Sequence, residues 1–206
     1  MSNPPRLAVA SGLDAFCQGI ESIWAVGATE ESLCYATEAV GYAWQYLNQS
    51  VFSPTSEAQL RMCQASHLAG KAINISKTTA PHALSYVLTS QFRIPHGIAV
   101  AMTLSAILGF NASVTLTDCV DPRGPKEVTR RIAMITVLLG ASSVREAQEK
   151  LKRFISDLGC PCSLVAAGIT DEQDLMRIVR SVNSDRMANN PRKIIETDLL
   201  QLLREE

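Results

Sequence analysis

The sequence lacks an excess of charge of either sign. Its 206 residues include 19 Lys and Arg against 20 Asp and Glu, which gives a formal net charge of -1. Without a global basic field, nucleic acid and anionic membrane surfaces are excluded as primary partners. A content of 47% apolar and 19% charged residues is instead typical of a single domain that builds a hydrophobic core.

Long apolar segments and paired-cysteine motifs are also lacking. Residues 1–9 contain no apolar region of the secretory-signal type. The longest apolar run, residues 98–110, has only 13 residues, which predicts a buried core helix rather than a membrane span. The six cysteines form no CxxC pair, and only Cys160 and Cys162 lie close together. We therefore expect free thiols and a cytoplasmic protein.

Apolar residues recur at helical spacing along almost the entire chain, which predicts an all-α bundle of about nine helices. The predicted helices cover residues 12–26, 30–48, 54–75, 80 onwards, 94–110, 126–139, 143–158, 170–182 and 197–204. The predicted caps are Ser11, Thr29, Ser53, Ser143 with Glu146, and Thr170 with Gln173. Residues 113–120 alternate weakly, but without a partner strand they predict no sheet.

The sequence contains only three histidines, and two of them occupy similar positions. His82 and His96 each follow a proline at a predicted helix start, so both side chains can face one pocket. Histidine is the commonest metal ligand in proteins. Asp14 lies in an otherwise apolar helix segment, where a carboxylate needs a partner, and it is the best third ligand. Gln18 lies one turn further along the same helix face.

Spacing alone leaves other interpretations of these residues open. A histidine that follows a proline at a helix start is often a capping or surface residue. An aspartate near a helix start often acts as a cap, and Gln18 can simply donate a hydrogen bond to Asp14. His67 lies inside a predicted helix and is interpreted as a packed or exposed helix residue.

Several motifs resemble those of a known family. The helical half of the iron-containing alcohol dehydrogenase family has signatures similar to LDAFCQGIES (residues 13–22), LAGKAIN (68–74), PHALSY (81–86), IPHGIAVA (94–101) and NNPR (189–192). The resemblance implies a dehydroquinate synthase-like helical domain over residues 1–206, with metal ligands at Asp14, His82 and His96. Gln18 stands where the family usually has a fourth ligand, a histidine. Tyr86 stands where the family often has another histidine near the substrate.

The resemblance implies an enzyme that reduces a small aldehyde. Fe²⁺ or Zn²⁺ at the site would polarise the aldehyde oxygen, and NAD(P)H would supply the hydride. Tyr86 then either relays a proton through its hydroxyl or shapes the pocket. The sequence contains no G-x-G-x-x-G motif. We therefore expect the N-terminal nucleotide-binding domain to be absent from this chain, and the isolated chain to be inactive.

Residues 75–86 resemble the phosphonoacetaldehyde reductase branch of the family, which implies reduction of phosphonoacetaldehyde to 2-hydroxyethylphosphonate. Lys77, Thr78 and Thr79 stand just before a predicted helix N-terminus, where free N–H groups favour an anion. They are therefore predicted to hold the phosphonate. The alternative is that Thr79 caps the helix and Lys77 is solvated.

Two further hypotheses belong to other classes of protein. The chain can be a catalytically silent helical module that binds metal or self-associates, with a homodimer as the expected state. It can also be a structural bundle with no metal. A metal content of about one ion per chain separates this last hypothesis from the others.

Overall fold

Ten helices and no strand form within residues 4–205, the part of the chain that a computed structural model describes. The all-α prediction is therefore confirmed. The helices are α1 Pro5–Trp24, α2 Glu30–Phe52, α3 Ser56–Ser76, α4 Ala80–Phe92, α5 His96–Ala112, α6 Pro125–Leu138, α7 Val144–Asp157, α8 Glu172–Ser181, α9 Ser184–Met187 and α10 Glu196–Glu205. The weakly alternating stretch 113–120 forms turns and one isolated bridge, between Cys119 and Arg192.

Two of the predicted helix caps are confirmed. Thr29 accepts a hydrogen bond from the backbone N–H of Ser32 (3.2 Å), whose hydroxyl oxygen accepts in return from the N–H of Thr29 (2.9 Å). Ser143 accepts from the N–H of Glu146 (3.2 Å). The returning bond of this second box comes instead from the N–H of Ser142 to the Glu146 carboxylate (2.7 Å).

Three predicted caps are wrong. Helix α1 begins before Ser11, whose hydroxyl donates to the carbonyl four residues earlier (2.8 Å). The N-cap of α3 is Thr55 rather than Ser53, and the N-cap of α8 is Asp171 rather than Thr170. In α3 and α8, the predicted and the observed caps lie within two positions of each other. Residues of the same capping class compete there, and tertiary packing decides between them.

Helix α1 is central to the fold. It packs against α2, α3, α5 and α6. Its contact with α5 is close because Gly97 lies against it. A Cβ built on Gly97 would come within 1.9 Å of the carbonyl oxygen of Ala10, so only glycine permits this approach. The contact places the start of α5 beside the middle of α1. Among residues 4–205, no helix combines the length and apolar character needed to cross a membrane.

A group of paired charges, here called the α1 C-terminal cluster, consists of Asp121, Arg123, Glu127 and Arg131. Arg131 is almost fully buried and donates to the Glu127 carboxylate (2.7 Å) and to the carbonyl of Ala25 (3.1 Å). Arg123 donates to Asp121 (2.6 Å) and also to backbone carbonyls that follow α1. The two guanidinium groups thus satisfy carbonyls that the end of a helix leaves without partners.

Candidate metal centre

Three polar side chains follow one face of α1. Asp14, Gln18 and Glu21 are spaced four and three residues apart, which brings them to the same side of a helix. Asp14 and Gln18 are half-buried, and Glu21 is fully buried. Most neighbouring positions along this segment are apolar and packed in the core. Carboxylates in such surroundings need partners to offset their desolvation.

Two histidines approach this face from helix starts, as the sequence predicted. His82 lies in the first turn of α4 directly after Pro81, and His96 is the first residue of α5, after Pro95 at the N-cap. Proline suits these positions because it needs no hydrogen-bond acceptor for a backbone N–H. His82 is buried and His96 is half-buried, with ring centroids 5.4 Å apart. His67 lies apart from them in α3, exposed.

The donor atoms of Asp14, His82 and His96 converge. The Oδ1 atom of Asp14 lies 3.2 Å from Nε2 of His82 and 3.6 Å from Nε2 of His96. One ligand atom from each of the three residues falls within 4.8 Å of the others. Tetrahedral ligands at about 2.0–2.2 Å from a common metal lie about 3.3–3.6 Å from one another. The set therefore fits a divalent metal in both its chemistry and its spacing.

The other ring nitrogens have partners that direct the lone pairs of Nε2 into the site. Nδ1 of His82 is hydrogen-bonded to the Glu21 carboxylate, which can only accept. The Ser85 hydroxyl donates its proton to the carbonyl of His82 (2.7 Å), so it accepts from Nδ1 of His96 at 3.3 Å. With Nδ1 engaged in this way, Nε2 is the nitrogen of each histidine that faces the site and can bind a metal when it carries no proton.

The electrostatics of the site favour a positive charge. Burial by itself lowers the pKa of His82, but the Glu21 and Asp14 carboxylates outweigh it and raise the pKa to about 10. Burial lowers the pKa of His96, and Asp14 offsets only part of that effect. Two carboxylates close to one buried imidazole hold a proton there, and a divalent cation satisfies the same two charges.

Gln18 and Tyr86 lie at the border of the site. The Gln18 amide donates from Nε2 to Oδ2 of Asp14 (2.9 Å), so in this structure it orients the aspartate rather than adding a fourth ligand. Tyr86 is exposed, and its ring centroid lies 5.5 Å from that of His96. The tyrosine ring therefore lies beside the His96 imidazole at the exposed border of the site.

The three residues predicted to hold a phosphonate differ in exposure and in hydrogen-bond partners. Lys77 is exposed and donates from Nζ to the carbonyl of Asn74 (2.8 Å), and Thr78 is half-buried. Thr79 is 1% exposed, and its hydroxyl donates to Glu21 (2.7 Å) instead of facing solvent. Thr79 is the N-cap of α4, but its side chain caps no N–H of the helix. Thr79 therefore caps the helix by position without a side-chain bond to it, and its assignment to phosphonate binding stays a prediction.

The sequence interpretation missed two residues of the site, Glu21 and Ser85. Glu21 stood inside one of the family-like motifs without an assigned role. One signal was available: Glu21 follows Asp14 by seven residues, or two helical turns, so an acidic residue recurs on one face of an apolar segment. No such signal marks Ser85, because a serine inside a helix commonly donates to a backbone carbonyl of the preceding turn without any role in a site.

Comparison with known proteins identifies the family of this chain. The family described as "Fe-containing alcohol dehydrogenase family, C-terminal" matches residues 8–206. The chain belongs to the iron-containing alcohol dehydrogenase family. It is 35% identical over 202 residues to the phosphonoacetaldehyde reductase of Streptomyces viridochromogenes, a match that covers 97% of this chain and 50% of the relative. It is 29% identical to long-chain-alcohol dehydrogenase 1 of Geobacillus thermodenitrificans, with the same coverage of 97% and 50%.

A solved structure shows the same fold. The sulfoacetaldehyde reductase from Bifidobacterium kashiwanohense, crystallised with NAD⁺, superposes with a TM-score of 0.81 at 28% identity. The match covers 99% of this chain and 51% of that one. The chain thus spans about half the length of the relatives that it matches. Membership of the iron-containing alcohol dehydrogenase family implies a divalent metal and a nicotinamide cofactor.

Proposed function

We propose that this chain is the metal-binding half of an NAD(P)H-linked aldehyde reductase. The observation that carries the proposal is the convergence of Asp14 Oδ1 with the Nε2 atoms of His82 and His96. A divalent metal, Fe²⁺ or Zn²⁺, supplies when bound the Lewis acidity that polarises a carbonyl oxygen. Residues 4–205 contain no strand that could contribute to a nucleotide-binding sheet. We therefore assign the binding of NAD(P)H, the hydride donor, to a separate nucleotide-binding domain.

Residues of this chain hold the metal, orient one of its ligands and donate a proton. Asp14 supplies the negative charge of the ligand set, and Gln18 keeps its carboxylate oriented by donating to Oδ2. Tyr86 lies on the exposed side of His96, where its hydroxyl can give a proton to the oxygen of a bound aldehyde as that oxygen gains charge. A phenol suits this task because it both donates and accepts hydrogen bonds.

We propose a small aldehyde with an anionic group, phosphonoacetaldehyde, as the substrate. Two relatives are named for phosphonoacetaldehyde and sulfoacetaldehyde, and the two compounds share an acetaldehyde unit and an anionic end. Lys77 is exposed and Thr78 half-buried in the short connection before α4, so an ammonium and a hydroxyl are available to an anion. Thr79 is left out of this proposed contact. A homodimer and a cytoplasmic location stay predictions.

The proposal is tested by supplying the chain with a nucleotide-binding half. The chain is joined to the half of the Streptomyces viridochromogenes reductase that it does not match, and NAD(P)H oxidation is followed with phosphonoacetaldehyde, sulfoacetaldehyde and uncharged propanal. We expect metal-dependent reduction with preference for the anionic aldehydes. His96→Ala should lose both bound metal and activity, and Tyr86→Phe should lose activity while keeping the metal.

Four results would contradict the proposal or one of its parts. A folded, metal-loaded hybrid that reduces none of the aldehydes would exclude reductase function and favour a silent metal-binding module. Turnover by the isolated chain would show that it is not merely half of the enzyme. A preference for propanal would remove the proposed role of Lys77 and Thr78 while leaving the metal chemistry in place. Full metal content in His96→Ala would overturn the ligand assignment.

A further inference from the structure

Glu21 is a fully buried carboxylate in the middle of α1. A carboxylate transferred from water to an apolar interior is strongly destabilised unless hydrogen bonds and charge partners replace its hydration. It lies next to the metal-ligand set but belongs to none of the converging donor atoms, which come from Asp14, His82 and His96. Its burial therefore calls for a role other than that of a ligand.

The partners of Glu21 come from the start of α4. Oε1 accepts hydrogen bonds from the backbone N–H of Thr79 (2.9 Å) and from the Thr79 hydroxyl (2.7 Å). Oε2 is hydrogen-bonded to Nδ1 of His82. The indole N–H of Trp24 donates to the Thr79 hydroxyl (2.8 Å) and so fixes its orientation. The two oxygens thus bind the backbone end of α4 and the histidine that α4 carries.

These contacts place a carboxylate of the protein at the N-terminus of α4, where the sequence suggested a substrate anion. A helix N-terminus attracts an anion through its free N–H groups and its dipole. The sequence suggested that a substrate phosphonate would occupy the place next to Thr79. The anion held there is the carboxylate of Glu21, supplied from α1 within the same chain.

We propose that Glu21 is the positioning residue of the metal centre. It fixes the His82 ring with its proton on Nδ1, so that Nε2 presents its lone pair beside Asp14, and it secures α4 through Thr79. This inference rests on the proposed metal site and extends it to a residue that contacts one of the ligands without being a ligand itself. Carboxylates that accept from the second nitrogen of a ligating histidine orient the ring and increase the basicity of the ligand.

A glutamine cannot replace Glu21 without a mismatch. Both carboxylate oxygens act as acceptors, one toward Thr79 and one toward His82. A glutamine side chain has the same shape but only one oxygen, so its NH₂ group would face a donor in either orientation. The substitution therefore removes the orienting contact while nearly preserving the volume of the side chain.

The test measures the affinity of the chain for Zn²⁺ by competition with a chromophoric chelator. We expect one site per wild-type chain and binding about 10- to 100-fold weaker in Glu21→Gln, with the helical circular-dichroism signal retained. The matched control is Glu127→Gln, a half-buried carboxylate paired with arginines on α6, which should leave the Zn²⁺ affinity unchanged. NMR of the Zn²⁺-loaded wild type should show a downfield His82 Nδ1–H signal that is lost or shifted in Glu21→Gln.

A second pair of variants keeps the test decisive if Glu21→Gln does not fold. Thr79→Val should weaken Zn²⁺ binding by about 2- to 10-fold, the effect of one hydrogen bond, and Thr79→Ser should restore it. Unchanged affinity in folded Glu21→Gln, or in folded Thr79→Val where Glu21→Gln fails to fold, would overturn the inference while the metal site stands. A wild-type chain that binds no Zn²⁺, Fe²⁺ or Co²⁺ would instead overturn the proposed function, and this inference with it.

Discussion

Charged groups gather beside the middle of α1 and beside its C-terminal end, and the two groups find their partners in different ways. In the α1 C-terminal cluster, each carboxylate has an arginine, and the remaining guanidinium N–H groups reach backbone carbonyls. At the metal centre, the Nε2 atoms of His82 and His96 face the Asp14 carboxylate, which can only accept hydrogen bonds. The charged groups of the first cluster find all these partners within the protein. The second becomes favourable when a cation, a proton or a metal, lies between its members.

This difference distinguishes charged groups that are paired within the protein from charged groups that can bind a ligand. The Arg130 and Arg131 contacts lower the pKa of Glu127 to about 2, as expected for a carboxylate held in ion pairs. At the metal centre, the pKa of His82 is raised to about 10, because two carboxylates attract a positive charge to one imidazole. Perturbed pKa values thus occur in both regions, and only the geometry of donors and acceptors shows which region can bind a ligand.

Breaking the α1 C-terminal cluster should have the largest effect on stability. Arg131→Met removes a buried cation and leaves Glu127 and the carbonyl of Ala25 without it. We expect a loss of about 3–5 kcal/mol in the free energy of unfolding, measured by urea denaturation, with unchanged Zn²⁺ affinity in the folded protein. Arg130→Met is the matched control. It binds the same glutamate from a largely exposed position, so we expect a change below about 1 kcal/mol.

A fall in Zn²⁺ affinity in folded Arg131→Met, comparable to that in a ligand variant, would contradict the separation of the two regions. It would show that the end of α1 sets the position of Asp14 and Glu21 through the helix. Equal destabilisation in Arg130→Met and Arg131→Met would contradict the importance of burial in the cluster.

Widening the α1–α5 contact should affect the metal centre most directly. Gly97→Ala places a Cβ 1.9 Å from the carbonyl oxygen of Ala10, so the helices must separate. We expect a loss of about 3 kcal/mol in the free energy of unfolding together with lost Zn²⁺ binding, because His96 moves away from Asp14. Gly41→Ala is the matched control: its Cβ meets nothing within 4 Å, and a helical Gly→Ala change should stabilise by up to about 1 kcal/mol. Wild-type Zn²⁺ affinity in Gly97→Ala would refute the role of this close approach.

The sequence predicted the parts of the site that depend on local pattern. The proline–histidine pairs at two helix starts, and the acid in a largely apolar helix segment, made His82, His96 and Asp14 candidates, although spacing alone left other interpretations open. Resemblance to the family supported the same three residues. Their convergence in space depends on the close α1–α5 contact at Gly97, which local periodicity does not reveal.

Glu21 and Thr79 could not be assigned from the sequence because their roles depend on contacts between distant segments. Thr79 lies 58 residues after Glu21 in the chain. The sequence indicates that the N-terminus of α4 favours an anion, but it does not indicate whether a substrate or a side chain supplies it. The helix starts at Ser53 and Thr170 were misplaced for a related reason: neighbouring residues of the same capping class differ only in tertiary context.

The smallest expected effect concerns Gln18, which tests how strictly the ligand set is limited to three residues. Because Gln18 donates to Oδ2 of Asp14 (2.9 Å), Gln18→Leu should weaken Zn²⁺ binding only by about 2- to 10-fold, the effect of one orienting hydrogen bond. Gln148→Leu is the matched control. This glutamine is also half-buried and donates to a backbone carbonyl (3.0 Å), and its loss should leave the Zn²⁺ affinity unchanged. A loss above about 100-fold in Gln18→Leu would exceed what one orienting bond provides and would show that the amide oxygen coordinates the metal.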